Sequence, residues 1–211
     1  MQTTSAAEMV AHSTITPFLA LSSLVPSLVS TTYTFAARTV SDTPQNSVFR
    51  VYVPSEVTVD GNEACSGDGT GLPAGLTCSY NSALGYFEIT DAFPTLASYP
   101  ARDFTLTITN LQNPATVTPT SSFKLETRTS SGGLIDGLQT GMTVTVQCNA
   151  PCATCNAGQP DQCLSCIANL APDGNAYLLQ GTTCVTSCST GYLLNSGGTQ
   201  CDACTENCHE C

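Results

Sequence analysis

Residues 103–109 of this chain read DFTLTIT, and residues 122–129 read SFKLETRT. Every second residue of the first segment is large and apolar, and successive side chains of a β-strand point to opposite faces of a sheet. The alternation therefore predicts two strands, each with one buried face. In the second segment, the inward side chains are Phe123, Leu125 and Thr127, and the outward ones are Lys124, Glu126 and Arg128.

Five further segments show this alternation or a short apolar run between turn residues: 31–37, 47–53, 76–80, 86–89 and 141–147. Because Gly, Pro and Asn separate these segments, we expect a mostly β protein with little helix. About seven such strands are typical of an Ig-like β-sandwich, which we place at residues 31–147. The chain has no Trp, so the disulfide-and-tryptophan core of antibody domains is not expected.

Residues 1–30 precede the predicted sandwich as a separate N-terminal segment. This segment includes the most apolar stretch of the chain, PFLALSSLVPSLVS at 17–30. The stretch is too short to span a bilayer, and no basic residue precedes it as in a signal peptide. Two alternatives remain. The segment is an arm that adds a strand to an open sheet edge of a neighbouring subunit, or it is the first strand of its own sandwich.

The charge balance excludes several classes of partner. The chain has 16 Asp and Glu against 5 Lys and Arg, a formal net charge of -11, and only 10% charged residues. Nucleic-acid binding requires a basic surface that displaces counterions from phosphates, and a polybasic membrane contact requires clustered Lys and Arg. We therefore expect neither nucleic acid nor a membrane span.

The 13 cysteines divide the chain. Residues 1–147 contain only Cys65 and Cys78, which we expect to pair across a Gly-rich loop. The other eleven lie in residues 148–211, which we treat as a separate domain: Cys148, Cys152, Cys155, Cys163, Cys166, Cys184, Cys188, Cys201, Cys204, Cys208 and Cys211. So many cysteines predict an oxidising, extracellular or cell-surface location.

The cysteine-rich segment repeats internally. The spacing of Cys148, Cys152 and Cys155 recurs 56 positions later, so one repeat is followed by the truncated head of a second, and we expect a piece of a longer chain. Two chemistries suit this spacing: a zinc site, for example at Cys152, Cys155, Cys163 and Cys166, or disulfides in a loop-dominated module. Few apolar residues lie between the cysteines, and eleven exceed the ligands of a zinc site. We therefore favour disulfides, whose pairing the spacing leaves open.

Two resemblances follow from these motifs. The segments CNAPCATC at 148–155, CLSC at 163–166, TCVTSC at 183–188 and Gly191-Tyr192 resemble the furin-like cysteine-rich repeat of secreted proteins and receptor ectodomains. The segments TLTITNLQNP at 105–114, PTSSF at 119–123 and LID at 134–136 resemble β-domains of large surface proteins of ciliates and other protists. In those proteins, such domains often precede furin-like repeats. The resemblance implies an extracellular structural role and no catalytic residues.

The residue types that form catalytic, phosphate-binding or metal sites in other proteins show no recognisable arrangement of this kind in the sequence. The two histidines, His12 in the N-terminal segment and His209 between two cysteines, have no plausible Ser and carboxylate partners nearby in the sequence, so we do not expect an enzyme. The segment GDGTG at 67–71 has no following Lys and predicts a flexible loop instead of a phosphate site. The acidic residues Asp60, Glu63 and Asp68 offer calcium ligands, but we favour a solvated turn and predict no metal or cofactor.

The chain has no Asn-X-Ser/Thr sequon, so any glycans are expected to be O-linked. The candidates are Thr116, Thr118, Thr120, Ser121 and Ser122. The alternative is that these hydroxyls belong to β-forming residues on solvated faces.

Together these features favour a non-enzymatic structural subunit of an extracellular filament or cell-surface coat, for example a flagellar hair, of a protist. Such a subunit self-associates into a polymer. The alternative is an adhesive or ligand-binding ectodomain fragment of a larger surface protein.

Overall fold

A computed structural model of the chain describes residues 7–8, 18–156, 158–168 and 170–204, and the side chains of these residues except 7–8 and 138–140. Contacts divide the described residues into two units. The sandwich unit comprises residues 7–8, 18–23, 29–114 and 118–145, and the cysteine unit comprises 24–28, 115–117 and the described residues from 146 onward. The regular structure of the described residues is all β, and none of them forms a helix that could cross a membrane.

Twelve strands are described in the sandwich unit: β1 (Ala7–Glu8), β2 (Phe18–Leu21), β3 (Thr31–Arg38), β4 (Thr43–Pro44), β5 (Val48–Tyr52), β6 (Ala64–Gly67), β7 (Cys78–Asn81), β8 (Tyr86–Ile89), β9 (Ser98–Tyr99), β10 (Asp103–Leu111), β11 (Phe123–Arg128) and β12 (Leu134–Met142). Six more lie in the cysteine unit: β13 (Cys152–Asn156), β14 (Gln159–Cys166), β15 (Leu178–Gln180), β16 (Thr183–Val185), β17 (Tyr192–Leu194) and β18 (Gln200–Ala203).

The sandwich consists of two sheets with the strand order of an Ig-like fold. One sheet has the order β2-β3-β10-β6, which corresponds to strands A, B, E and D of an immunoglobulin domain. The other has the order β1-β12-β11-β5-β8-β7, which contains the G, F and C strands with an added hairpin. The hairpin β7–β8 follows the D-equivalent strand β6 in the chain, whereas the added strands of variable domains precede it. The predicted Ig-like sandwich is confirmed.

Aromatic rings fill the space between the two sheets. Phe123 of one sheet lies with its ring centroid 5.4 Å from that of Phe35 and 5.7 Å from that of Tyr33 of the other. Phe49 and Phe104 make a second edge-to-face pair, with centroids 5.0 Å apart. All five side chains are buried, so these contacts combine a large apolar area with a preferred ring geometry.

The apolar N-terminal stretch contributes a strand to its own sandwich. β2 pairs antiparallel with β3, from Phe18 opposite Ala36 to Leu21 opposite Tyr33. The structure therefore shows the second of the two alternatives for Phe18–Leu21. Most of the residues before Phe18, including His12, lie outside the described residues.

The strand predicted at 141–147 is wrong in position, because the ladder with β11 runs over Leu134–Met142. Beyond Met142 the chain makes a single pair of contacts with Thr120: the Val144 N–H donates to the Thr120 hydroxyl, and the Thr120 N–H donates to the Val144 carbonyl. This extended segment still alternates, since Met142, Val144 and Val146 are buried. The alternation of buried and exposed residues therefore continues beyond the end of β12, which is why the sequence pattern predicts a strand there.

The boundary between the units also differs from the expected one. It falls between residues 145 and 146, and residues 24–28 belong to the cysteine unit. The backbone explains this, because the Gln147 N–H donates to the Leu24 carbonyl (2.8 Å) and the Gly158 N–H donates to the Pro26 carbonyl (2.7 Å). Composition along the chain does not reveal such long-range pairing.

A buried carboxylate holds the loop after β3. Asp136 of β12 is fully buried, and its Oδ2 accepts the backbone N–H groups of Val40 and Ser41, both at 2.9 Å. Its own N–H donates to the hydroxyl of Thr127 in the neighbouring strand. Backbone donors in the interior need such partners, so Asp136 determines where this loop can lie.

We expect Asp136→Ala to lower the free energy of unfolding by about 2–4 kcal/mol, because it removes a buried carboxylate and leaves two part-buried N–H groups without their acceptor. Asp136→Asn should cost less, since its amide oxygen still accepts. Urea denaturation would measure both. The control is Asp103→Ala, which removes the half-exposed ion pair with Arg38 and should cost less than about 1 kcal/mol. Equal losses for Asp136→Ala and the control would contradict the role of Asp136.

Candidate functional site

The cysteine unit contains four disulfides among the described residues: Cys148–Cys155, Cys152–Cys163, Cys166–Cys184 and Cys188–Cys201. The four cysteines considered as zinc ligands are all in disulfides: Cys152 and Cys163 bond to each other, Cys155 to Cys148 and Cys166 to Cys184. Cys204 is also disulfide-bonded, while Cys208, His209 and Cys211 lie outside the described residues. In the sandwich unit, Cys65 and Cys78 are joined, as the sequence predicts.

These disulfides replace a conventional core. Cys152, Cys163 and Cys201 are among the few buried apolar side chains of the cysteine unit, together with Val146 and Ala171. The strands are short: β13 and β14 form a hairpin, and the remaining four form a sheet of order β16-β15-β18-β17. A unit with so little apolar burial depends on covalent links for its stability.

Each disulfide closes a short stretch of chain. The bonded cysteines are separated by 7, 11, 18 and 13 positions, in order along the sequence. Only the first two loops overlap in sequence, and no described disulfide joins the beginning of the unit to its end. The cross-links are therefore local, as in repeat proteins whose units interact only with neighbours.

The loop predicted to be flexible at 67–71 is instead closed around one carboxylate. Oδ1 of Asp68 accepts the N–H groups of Thr70, Gly71 and Leu72, and Oδ2 accepts the N–H of Thr105 in β10. Burial raises the pKa of Asp68, but these four hydrogen bonds outweigh it and hold that pKa below its usual range. A side chain at position 71 would collide with the Asp103 carbonyl, so this position requires Gly.

The neighbouring acidic residues also turn toward their own backbone. Glu63 accepts the N–H groups of Asp60 and Gly61, and Asp60 accepts the N–H of Asn62. Among the described residues, no group of three or more His, Cys, Asp or Glu side chains is arranged to hold a metal ion. The carboxylates weighed as calcium ligands thus fold a turn.

The candidate O-glycosylation residues differ in exposure. Thr116, Thr118 and Ser121 are exposed, and Ser122 is half-buried with its hydroxyl accepting the Gly141 N–H. Thr120 is buried, and its hydroxyl accepts the N–H of Val144, so the prediction is wrong for Thr120 in the folded chain. The other four stay predictions.

Two motif asparagines have structural roles. Asn110 adopts a left-handed backbone (φ 62°) where the register of β10 against β3 shifts, a conformation that Asn tolerates. Asn113 is buried: its Oδ1 accepts the Tyr33 hydroxyl and its Nδ2 donates to the Ser23 carbonyl, both at 2.9 Å. The motif TLTITNLQNP therefore encodes a strand, a bulge and a buried anchor.

The outer face of the six-stranded sheet has a network of paired charges. Arg50 donates to Glu88 (Nε to Oε2, 2.8 Å) and lies over the ring of Tyr86, 4.5 Å from its centroid. Glu126 accepts from the Tyr52 hydroxyl at 3.0 Å and from Arg128 Nε at 2.7 Å. Burial and the charge of Glu126 raise the pKa of Tyr52, which therefore stays protonated and donates.

An open groove of about 390 Å³ lies beside this network. Ser79 and Asn81 of β7 and Tyr86 and Glu88 of β8 line it, so hydroxyl, amide and carboxylate groups converge next to an aromatic ring. The cysteine unit has its own groove of about 440 Å³, whose lining includes Leu164, Ile167, Tyr177 and Leu179 together with smaller and polar residues. Neither groove can be predicted from the sequence pattern, because each depends on strand register that the local pattern does not encode.

Comparison with known proteins adds little to this description. No model of a known protein family matches the chain, and no curated protein matches it. The chain is similar to one solved structure, that of an uncharacterized protein from Nocardia farcinica with an immunoglobulin-like fold. The aligned region covers 62% of this chain and 96% of the Nocardia chain. Its sequence identity is 14% and its TM-score 0.34. The Ig-like character of the sandwich unit rests on its own strand order.

Asp68 should make stability depend on pH. Because its folded pKa lies below the unfolded one, its contribution is present above the unfolded pKa and is lost as pH falls through the folded pKa. We expect Asp68→Asn to be less stable than the wild type at neutral pH, and the difference to disappear as the pH falls through the lowered pKa of Asp68. Urea midpoints across this range would measure the gap. A gap that does not change with pH would contradict the role of the Asp68 charge.

Removing one local disulfide should affect one unit only. The double variant Cys166→Ser/Cys184→Ser opens the longest of the four loops described above and should cost the cysteine unit about 3 kcal/mol. Limited proteolysis with mass spectrometry should then show new cleavage after residue 146 and an unchanged sandwich unit. Cys65→Ser/Cys78→Ser is the matched control and should give the reverse pattern. Cleavage in both units from either variant would show that the disulfides do not act locally.

Proposed function

We propose that the chain is a structural subunit of an extracellular filament or cell-surface coat, for example a flagellar hair, of a protist. The observation that carries the proposal is the series of short disulfide loops along the cysteine unit. Local covalent links hold each segment in shape without a large core, and such a unit can be repeated without disturbing its neighbours. The 56-residue recurrence of the cysteine spacing supports this reading.

The disulfides also support an extracellular location, since they persist in oxidising compartments. The resemblance of residues 148–211 to furin-like repeats, and of the preceding domain to protist surface β-domains, supports the finer assignment. In the sandwich unit, four carboxylates hold the fold together through hydrogen bonds and ion pairs. Asp68 and Asp136 bind backbone N–H groups, and Glu88 and Glu126 bind arginines. These roles are those of a scaffold, and we propose that the protein is not an enzyme.

The groove beside β7 favours a second candidate function, an adhesive or ligand-binding ectodomain. Ser79, Asn81 and Glu88 supply mixed donors and acceptors beside the ring of Tyr86, a chemistry that suits the hydroxyl groups of a saccharide. Glu88 and the net charge of -11 disfavour anionic ligands.

Electron microscopy of the natively isolated, oxidised protein in negative stain tests the proposal. We expect regular filaments, and we expect reduction of the same sample to disrupt them, because the cysteine unit depends on its disulfides. Alkylated but unreduced protein is the control for the treatment. Discrete particles at every concentration would contradict the filament proposal and favour the adhesive function.

A further inference from the structure

Two short edge strands of the sandwich unit lack the charged residues and prolines that commonly prevent sheets from pairing edge to edge. β2 reads FLAL and β7 reads CSYN, so neither strand contains a charged residue or a proline. Natural edge strands are commonly blocked by charges, by proline, by bulges or by a covering segment. In the described part of the sandwich unit, no strand pairs with the second edge of either β2 or β7.

The edge strand β6 shows that this fold does cover an edge elsewhere. Gly67 at its end donates its N–H to the Pro73 carbonyl at 3.0 Å, and Cys65 bridges to Leu76. The segment that follows β6 thus folds back along it, and the Cys65–Cys78 disulfide fixes the return. β2 and β7 have no such cover among the described residues.

The outward side chains of the two open edges differ in character. On β2, Leu19 and Leu21 lie opposite the buried Phe35 and Tyr33, so Phe18 and Ala20 face outward, and Phe18 is 58% exposed. On β7, Ser79 and Asn81 face outward beside the groove of about 390 Å³. The β2 edge therefore presents the exposed ring of Phe18, and the β7 edge presents a groove that can receive such a ring.

We propose that β2 of one copy pairs with β7 of a second copy, so that the two sheets continue across the contact. This inference rests on the proposed function and identifies the surface by which its subunits join. Both strands are four residues long, so their ladders match in length. Neither strand contains a charged residue. The contact itself therefore adds no charge repulsion between two copies that each have a net charge of -11.

The pairing of two different edges determines the kind of assembly. A β2–β7 contact is heterologous and leaves one free edge of each kind, so it propagates into an open polymer when the rotation does not close. A β2–β2 or β7–β7 contact is isologous and stops at a dimer. A ladder of four residues buries little area, so we expect assembly to depend steeply on concentration.

Sedimentation and negative-stain microscopy of the oxidised full chain test this contact. Phe18→Lys and Ser79→Lys each place a charge at one edge and should reduce the assembled fraction at least about tenfold. Combining Phe18→Glu with Ser79→Lys places opposite charges across the contact and should restore assembly. The control is Thr34→Lys, which lies on the outer face of β3, inside the same sheet, and should assemble as the wild type does. Thermal melts establish that each variant folds.

The outcomes separate the inference from the proposed function. Failure of the wild type to assemble at any concentration overturns both. Assembly of the wild type and of both Lys variants to the same extent overturns only the β2–β7 contact. A wild type that stops at dimers and is sensitive to one edge alone also overturns it, because that result indicates an isologous contact. Rescue by the opposite-charge pair, with no effect of Thr34→Lys, supports the contact.

Discussion

The packing of aromatic rings between two sheets is the interaction on which the sandwich unit depends. Phe35, Phe49, Phe104 and Phe123 are buried, and each belongs to a strand whose alternate residues face outward. A slip of one residue in any of these strands would move its rings to the solvent side. The register of β3 against β10 is thus set by burial. It places Leu106 opposite Phe35, both on the inner face, and it leaves the outer faces free for polar side chains.

Polar side chains then determine the connections between strands. Asp68, Asn113 and Asp136 each bind groups distant in sequence, and each lies in or beside a turn or a strand end. An ionised carboxylate that accepts several N–H groups does for a loop what a strand partner does for a ladder. Among the described residues, the carboxylates weighed as calcium ligands, Asp60, Glu63 and Asp68, have this structural use. Glu88 also has a structural use, because it pairs with Arg50, and it lines the open groove beside β7 as well.

The cysteine unit achieves stability by a different route. Its buried apolar residues are few, so local disulfides do what ring packing does in the sandwich unit. This difference explains why composition separates the two parts so clearly.

The sequence by itself determined the strands with a strong period of two, such as β3, β10 and β11, together with the disulfide-rich character of residues 148–211. Both depend on neighbouring residues, which a linear pattern records. Tertiary structure alone decided the strand Leu134–Met142, the burial of Asp136 and of Thr120, the pairing of the cysteines after residue 147 and the closed loop at Asp68. Asp136 is the clearest example, because its partner Val40 lies 96 positions away. Contacts over such separations depend on which strands become neighbours, and no local period specifies that choice.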